Sequence, residues 1–176
     1  MIQILKRLHI YGVYRKIVFF LINHFLIGSG HMACAAKRCL MNSIGLKIGK
    51  GTTIVGPIYV FGSIDIGEKC WVNRNFTVHG NGHVRIGNCC DIGPDVSILT
   101  GGHAIGGNNE ERRAGKGESY TISIEDGCWI GSRATILGET TIHHHSVIAA
   151  CSCVNKNVEE NTLVGGVPAK VIKSLT

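Results

Sequence analysis

Six consecutive hexads decide the fold: Ile122-Ser-Ile-Glu-Asp-Gly, Cys128-Trp-Ile-Gly-Ser-Arg, Ala134-Thr-Ile-Leu-Gly-Glu, Thr140-Thr-Ile-His-His-His, Ser146-Val-Ile-Ala-Ala-Cys and Ser152-Cys-Val-Asn-Lys-Asn. The third residue of each is Ile or Val, and a Gly, a small or a polar residue usually follows it. Working upstream, the same phase is met at Ile98, Ile92 and Ile86, and after a two-residue slip at Val78, Val72, Ile66, Val60, Ile54 and Ile48. All fifteen third places hold a β-branched aliphatic residue.

Six residues are too few for a hairpin, but they fit one short flat strand and one tight turn, so three hexads close a triangular coil. The β-branched residue points inward and stacks on its counterpart in the next coil, while the residue after it starts the turn. Each inward Ile contributes on the order of 2 kcal/mol once buried, and only neighbouring coils can bury it. The fifteen hexads predict about five coils. A β-sandwich would instead space its strands at about 8 to 12 residues with strict alternation.

The chain has 176 residues, enough for one domain with a core, and 24 glycines suit a turn-rich coil. A formal charge of +6 favours anionic ligands without naming one. Aromatic content is low and no basic run is interleaved with aromatics, so nucleic acid is not expected as a partner. The eight cysteines form no Cys-x-x-Cys pair and no zinc spacing. They read as packing residues of a reducing compartment, not as bridges.

Three parts are expected: an N-terminal helical segment (residues 1–45), the coil (46–165) with an extruded loop (101–121), and a short C-terminal tail (166–176). In the first part Lys6, Arg7, Arg15 and Lys16 precede the apolar run Ile17 to Ile27, a layout similar to a signal peptide. Asn23 and His24 interrupt that run, it is too short to span a bilayer, and no clean small-x-small cleavage site follows. Ile4, Leu8, Tyr11, Tyr14, Val18, Leu21 and Phe25 lie three or four apart, which predicts one stripe of a helix. A helix packed on its own coil or on a neighbouring subunit is the first expectation. Peripheral membrane contact through residues 1–27, with a basic flank, is the second.

Interruptions of the repeat are where chemistry is expected, because loops on a rigid scaffold carry function. The slip at Gly82-His83 predicts one bulged corner. The longer break holds His103 behind Gly101 and Gly102, then Asn108, Asn109, Glu110, Glu111, Arg112, Arg113 and Glu118. An imidazole is the side chain best matched to proton abstraction near neutral pH. His79 and His83 bracket the small bulge and are rival candidates; His143, His144 and His145 occupy one turn and are expected to point outward.

Taken together, the hexads, the His-bearing loop, Cys128-Trp129-Ile130-Gly131-Ser132-Arg133, Ala149-Ala150, Asn155-Lys156 and Gly165-Gly166-Val167-Pro168-Ala169-Lys170-Val171-Ile172 resemble the left-handed β-helix acyltransferases. The branch they are most similar to holds the maltose, galactoside and nodulation-factor acetyltransferases and related polysaccharide O-acetyltransferases. The resemblance covers roughly residues 46–175. It implies an all-β solenoid, a left-handed parallel β-helix of hexapeptide repeats, working as a cytoplasmic homotrimer with acetyl-CoA as donor and no required metal. It implies His103 as the catalytic base, Asn73, Asn75 and Glu118 on the acceptor side, and Trp129, Gly131, Ser132, Ala149, Ala150, Lys156 and Lys170 along the CoA. Two features depart from the maltose-type pattern. Ala104-Ile105 stands where His-Pro is usual, and no N-terminal sugar-pocket segment is recognisable, which points to another acceptor such as a surface-glycan intermediate.

The chemistry those residues support is O-acetyl transfer by direct attack. A sugar hydroxyl needs a base, the oxyanion needs donors such as a glycine-rich turn, and an Asn can align the hydroxyl. Glu118 would orient the imidazole or bind acceptor; otherwise it is a solvated charge. Trp129 would wall a cleft or cover a subunit contact. Lys156 and Lys170 would meet phosphates, and Arg112 and Arg113 would hold an anionic acceptor or pair with Glu110 and Glu111. Two other readings remain at this point. A γ-type carbonic anhydrase would gather His79, His83 and His103 on zinc, and a non-catalytic scaffold would not bind acetyl-CoA.

Overall fold

The computed structural model describes residues 10–107 and 111–176. Ile4 and Leu8 of the N-terminal stripe, Lys6 and Arg7 of its flank, and Asn108, Asn109 and Glu110 of the loop lie outside the described residues.

The hexads wind into a three-sided parallel β-helix. One face stacks Lys47–Ile48, Ser63–Ile66, His83–Ile86, Thr121–Ile124 and Thr141–Ile142; the second stacks Thr53–Ile54, Trp71–Val72, Asp91–Ile92, Trp129–Ile130, Val147–Ile148 and Thr162–Gly165; the third stacks Ile58–Val60, Phe76–His79, Ser97–Leu99, Thr135–Leu137 and Cys153–Val154. Register is strict. Ile54 faces Val72, then Ile92, Ile130, Ile148 and Val164 along one column. All fifteen third-place residues are buried, none more than 6% exposed. The five expected coils are present, with part of a sixth.

The core is fuller than one inward residue per hexad. The first place points in as well, as the period of two demands: Leu46, Ile58, Ile64, Phe76, Val84, Val96, Ile122 and Ala134 are buried beside their third-place partners. Thr52, Cys70, Cys90, Cys128, Ser146 and Thr162 form a first-place column of small polar groups. Each is satisfied by a carbonyl: Thr52 Oγ1 donates to Gly67 O at 2.6 Å, Cys70 to Gly87 O at 3.0 Å, Cys90 to Glu125 O at 3.1 Å and Cys128 to His143 O at 3.1 Å. Cysteine serves there as a small donor, and all eight cysteines are free thiols.

The pattern also outlasts Val154. Val158 bridges Ile142 and Val164 pairs with Ile148, so the last step is sixteen residues instead of eighteen, which hides it from a strict hexad reading. Residues Lys170–Ser174 then fold back antiparallel on Thr162–Gly165.

Two helices, α1 (Tyr11–His24) and α2 (His31–Ser43), close the opposite end. The first coil has no coil before it, so its backbone groups need other partners. Side chains supply them. Asn23 exchanges two hydrogen bonds of 2.9 Å with Ile58, Asn42 accepts from Ile48 N at 2.7 Å, Arg38 donates to Thr52 O at 3.0 Å, and Arg15 donates to Val60 O and Gly62 O at 2.8 Å. Lys37 is fully buried and donates to Gly28 O, Ile54 O and Val55 O. The stripe expected on α1 packs inward at Tyr11, Tyr14 and Val18. It then continues through Ile22, while Leu21 and Phe25 turn outward, because a 3.6-residue period carries position 18 to 22.

Candidate active site

The two-residue slip is a corner, as expected: Gly80-Asn81-Gly82 bulges between the third and first faces. A Cβ on Gly82 would run into the Tyr120 carbonyl, and one on Gly80 into Gly101 N, so glycine is required where the next coil's excursion presses down. That excursion leaves at Thr100 and returns at Tyr120, and the two are joined by Tyr120 N donating to Thr100 O at 2.7 Å.

Between them, the expected extruded segment carries an antiparallel pair of strands, Gly101–Ile105 against Ala114–Ser119, and forms an arm. His103 lies opposite Gly117, beside a bulge that shifts the register before Ile105. Bulges re-aim side chains. The exposed imidazole sets its Nδ1 2.9 Å from Gly115 O. A carbonyl only accepts, so Nδ1 carries a proton, and in the neutral ring Nε2 is then the nitrogen with the lone pair. A positioned imidazole of this tautomer can take a proton from a hydroxyl.

Glu118 sits opposite Gly102, and its carboxylate accepts from Tyr120 Oη. That bond holds the Tyr120 phenol above its usual range. The orienting bond to His103 thus comes from the Gly115 backbone, and Tyr120 is Glu118's partner. Neither Gly115 nor Tyr120 carries a sequence signal beyond lying in the interruption.

Six of the remaining residues, Asn73, Asn75, Gly131, Ser132, Ala149 and Ala150, gather at another corner. Between the second and third faces, successive coils stack Asn73-Arg74-Asn75, Gly93-Pro94-Asp95, Gly131-Ser132-Arg133 and Ala149-Ala150-Cys151. Asn75 takes a left-handed φ of 59° and donates Nδ2 to Asp95 Oδ1 at 2.8 Å. Asn73 Oδ1 accepts from Arg74 N at 3.1 Å. Asp95 was legible in principle, since it holds the same hexad place one coil on. The N–H groups of Gly131 and Ala149 are committed to the ladder, donating to Ile148 O and Val164 O at 2.8 Å. Trp129 stands outward on the second face between Asp91 and Val147, 58% exposed. Lys156 and Lys170 are exposed cations near the end of the coil and enter no ion pair among the described residues.

Within one chain, therefore, His103 and Glu118 project from one corner, and Asn73, Asn75, Gly131, Ser132, Ala149 and Ala150 line the next. A face of the triangle lies between, about 15 Å of extended chain. His79 and His83 join neither group. His79 stacks on Phe61, with ring centroids 5.6 Å apart, and His83 meets Ser63 Oγ at 2.6 Å and Asp65 at 3.5 Å. No three His, Cys, Asp or Glu side chains among the described residues are grouped to hold a metal. His143 and His144 both contact Glu125 at 3.1 Å. The buried Cys128 thiol is pushed up by desolvation, and Cys90 by its contact with Cys70 and then by burial. These are thiols, not thiolate nucleophiles.

This scaffold has known relatives. Residues 121–156 match the bacterial transferase hexapeptide model of six repeats. The galactoside O-acetyltransferase of Escherichia coli K12 is 33% identical over 141 residues, 79% of this chain and 68% of that protein. The chain belongs to the hexapeptide-repeat acetyltransferases. Among solved structures, a hexapeptide-repeat acetyltransferase from Vibrio cholerae O1 biovar eltor, complexed with acetyl-CoA, superposes with a TM-score of 0.82 at 28% identity, covering 97% of this chain and 90% of that one. A galactoside acetyltransferase in complex with coenzyme A gives 0.75 at 28% identity, over 92% and 78%. The family is that of acyl transfer, and the carbonic anhydrase and scaffold readings are not favoured by it.

Proposed function

We propose that the protein transfers an acetyl group from acetyl-CoA to a hydroxyl of a sugar or surface-polysaccharide intermediate, as a cytoplasmic homotrimer. The observation that carries this reading is the imidazole of His103, held through Nδ1 by Gly115 O so that Nε2 is the base. Nε2 takes the acceptor's hydroxyl proton as the oxygen forms its bond to the thioester carbon. When the C–S bond breaks, the imidazolium returns that proton to the departing thiolate, giving free CoA and leaving His103 neutral. Asn73 and Asn75 align the acceptor, and Glu118 with Tyr120 borders it.

The donor lies along Gly131, Ser132, Ala149 and Ala150, walled by Trp129, with its phosphates near Lys156 and Lys170. Those two exposed lysines suit an anionic ligand. The separation of His103 from the Asn corner supports the trimer, because a second copy brings the corner of one chain against the arm of another. His103→Ala is expected to keep the oligomer and acetyl-CoA binding but to lower acceptor-dependent CoA release by about 10²- to 10⁴-fold. CoA release tested against a panel of sugars, with light scattering for the oligomer, checks this; retained turnover would remove His103 as base.

A further inference from the structure

Helix α1 is apolar on two sides, and only one of them packs in the core formed by the described residues. Its inner side packs Tyr11, Tyr14, Val18 and Ile22 on the first coil. Its outer side, with the turn that follows, carries Ile10, Val13, Ile17, Phe20, Phe25 and Ile27, each between 49% and 71% exposed. At 100° per residue the helical members of this set fall within one arc, with Lys16 at its edge. Phe20 meets Phe25 edge-on at 5.9 Å, and an apolar groove beside Phe19 leads to exposed Tyr59 and Phe61. Soluble surfaces rarely expose such a continuous set.

Charge says what covers it. The first 64 residues hold eight Lys and Arg and no Asp or Glu, whereas all twelve acidic residues follow from Asp65 onward. At the end of the molecule that bears this helix face, Lys37 is buried and Lys47 pairs with Asp65 at 3.1 Å, while Arg15, Lys16, Arg38 and Lys50 enter no ion pair among the described residues and leave that end net cationic. Another copy of this chain would bring the same positive charge against itself. An anionic lipid surface complements both properties, taking apolar side chains below its headgroups and cations among them. Among the described residues no helix is long and apolar enough to cross a membrane, which fits a helix lying in the interface.

We infer that the outer face of α1 docks the protein on anionic membrane surfaces. The dock is independent of the acetyl-transfer reading, since it needs neither donor nor His103. The test uses the full chain without acetyl-CoA, co-sedimented with vesicles of phosphatidylcholine alone or of phosphatidylcholine with phosphatidylglycerol. Sedimentation with the phosphatidylglycerol vesicles is expected, weakened by salt. The double variant Ile17→Glu, Phe20→Glu should bind at least about tenfold less, with unchanged circular dichroism and mass by light scattering. Lys16→Glu should reduce the preference for phosphatidylglycerol by about two- to fivefold. No sedimentation of the wild type, or full binding by the double variant, overturns the inference. A double variant of lower oligomeric mass overturns it too, by making this face a contact between copies.

Discussion

The coil and the arm come from one continuous chain and obey opposite rules. In the coil, each inward residue is set by the residue stacked on it, as with Ile92, Ile130 and Ile148 in one column. In the arm, Gly101–Ile105 and Ala114–Ser119 pair only with each other and stay largely in solvent. Stability therefore belongs to the part where residues are interchangeable in kind, and the proposed chemistry to the part where one residue, His103, has no equivalent. The arm is separable because Thr100 and Tyr120 already touch at its base.

The strongest way to sharpen that contrast is to remove the arm. Joining Gly101 to Ser119 through two glycines is expected to leave the thermal unfolding midpoint within a few degrees of wild type while CoA release falls by three orders of magnitude or more, beyond the loss from the base alone. A large drop in the midpoint would show that the arm supports the coil. Next in size, Ile98→Ala in the coil is expected to cost about 2 to 5 kcal/mol in urea unfolding with little change in turnover of the folded fraction.

Lys37 tests whether the end of the coil follows coil rules. Lys37→Ala leaves three backbone carbonyls without their donor and should cost about 2 kcal/mol or more. Burial lowers the Lys37 pKa below its usual 10.5. The unfolded chain then binds the extra proton between the folded value and 10.5, so this group adds stability as pH rises through that window. The wild-type minus Lys37→Ala difference, followed by unfolding from pH 7 upward, should grow with pH; a difference that shrinks would reverse the assignment. The smallest effect is expected for Asn75→Ala, which loses the bond to Asp95 and costs about 0.5 to 1.5 kcal/mol, with a rise in KM for the acceptor exceeding any fall in kcat.

How much of this was readable beforehand follows the same division. The fifteen β-branched positions announce the coil because stacking imposes one rule on all of them. Val158 and Val164 were missed because the last turn is two residues short, and one irregular corner is enough to hide a period. The first-place column was obscured because Thr52, Cys70, Cys90 and Ser146 are polar or small, and hydropathy does not reveal that each has a carbonyl waiting. For the site, the interruption marks where His103 must be, but its tautomer depends on Gly115 O, a backbone atom no side-chain pattern encodes. The Glu118 partner was equally hidden, since Tyr120 reads as the last residue of a loop. The end-capping side chains of Asn23, Lys37, Arg38 and Asn42 lie in helices whose apolar spacing says only that they pack somewhere.

Both ends of the ladder are shut, and by different means: polar side chains from α1 and α2 at the start, and the returned strand Lys170–Ser174 at the finish. Gly166 O and Ala169 N also bond Cys153 N and O, at 2.9 and 2.8 Å, finishing the third face. A parallel ladder with an open rim is a template on which an identical chain can continue the same hydrogen bonds. The helices and the returning tail are thus what keeps a repeating fold finite, and a chain stripped of either would be prone to grow end to end into fibres.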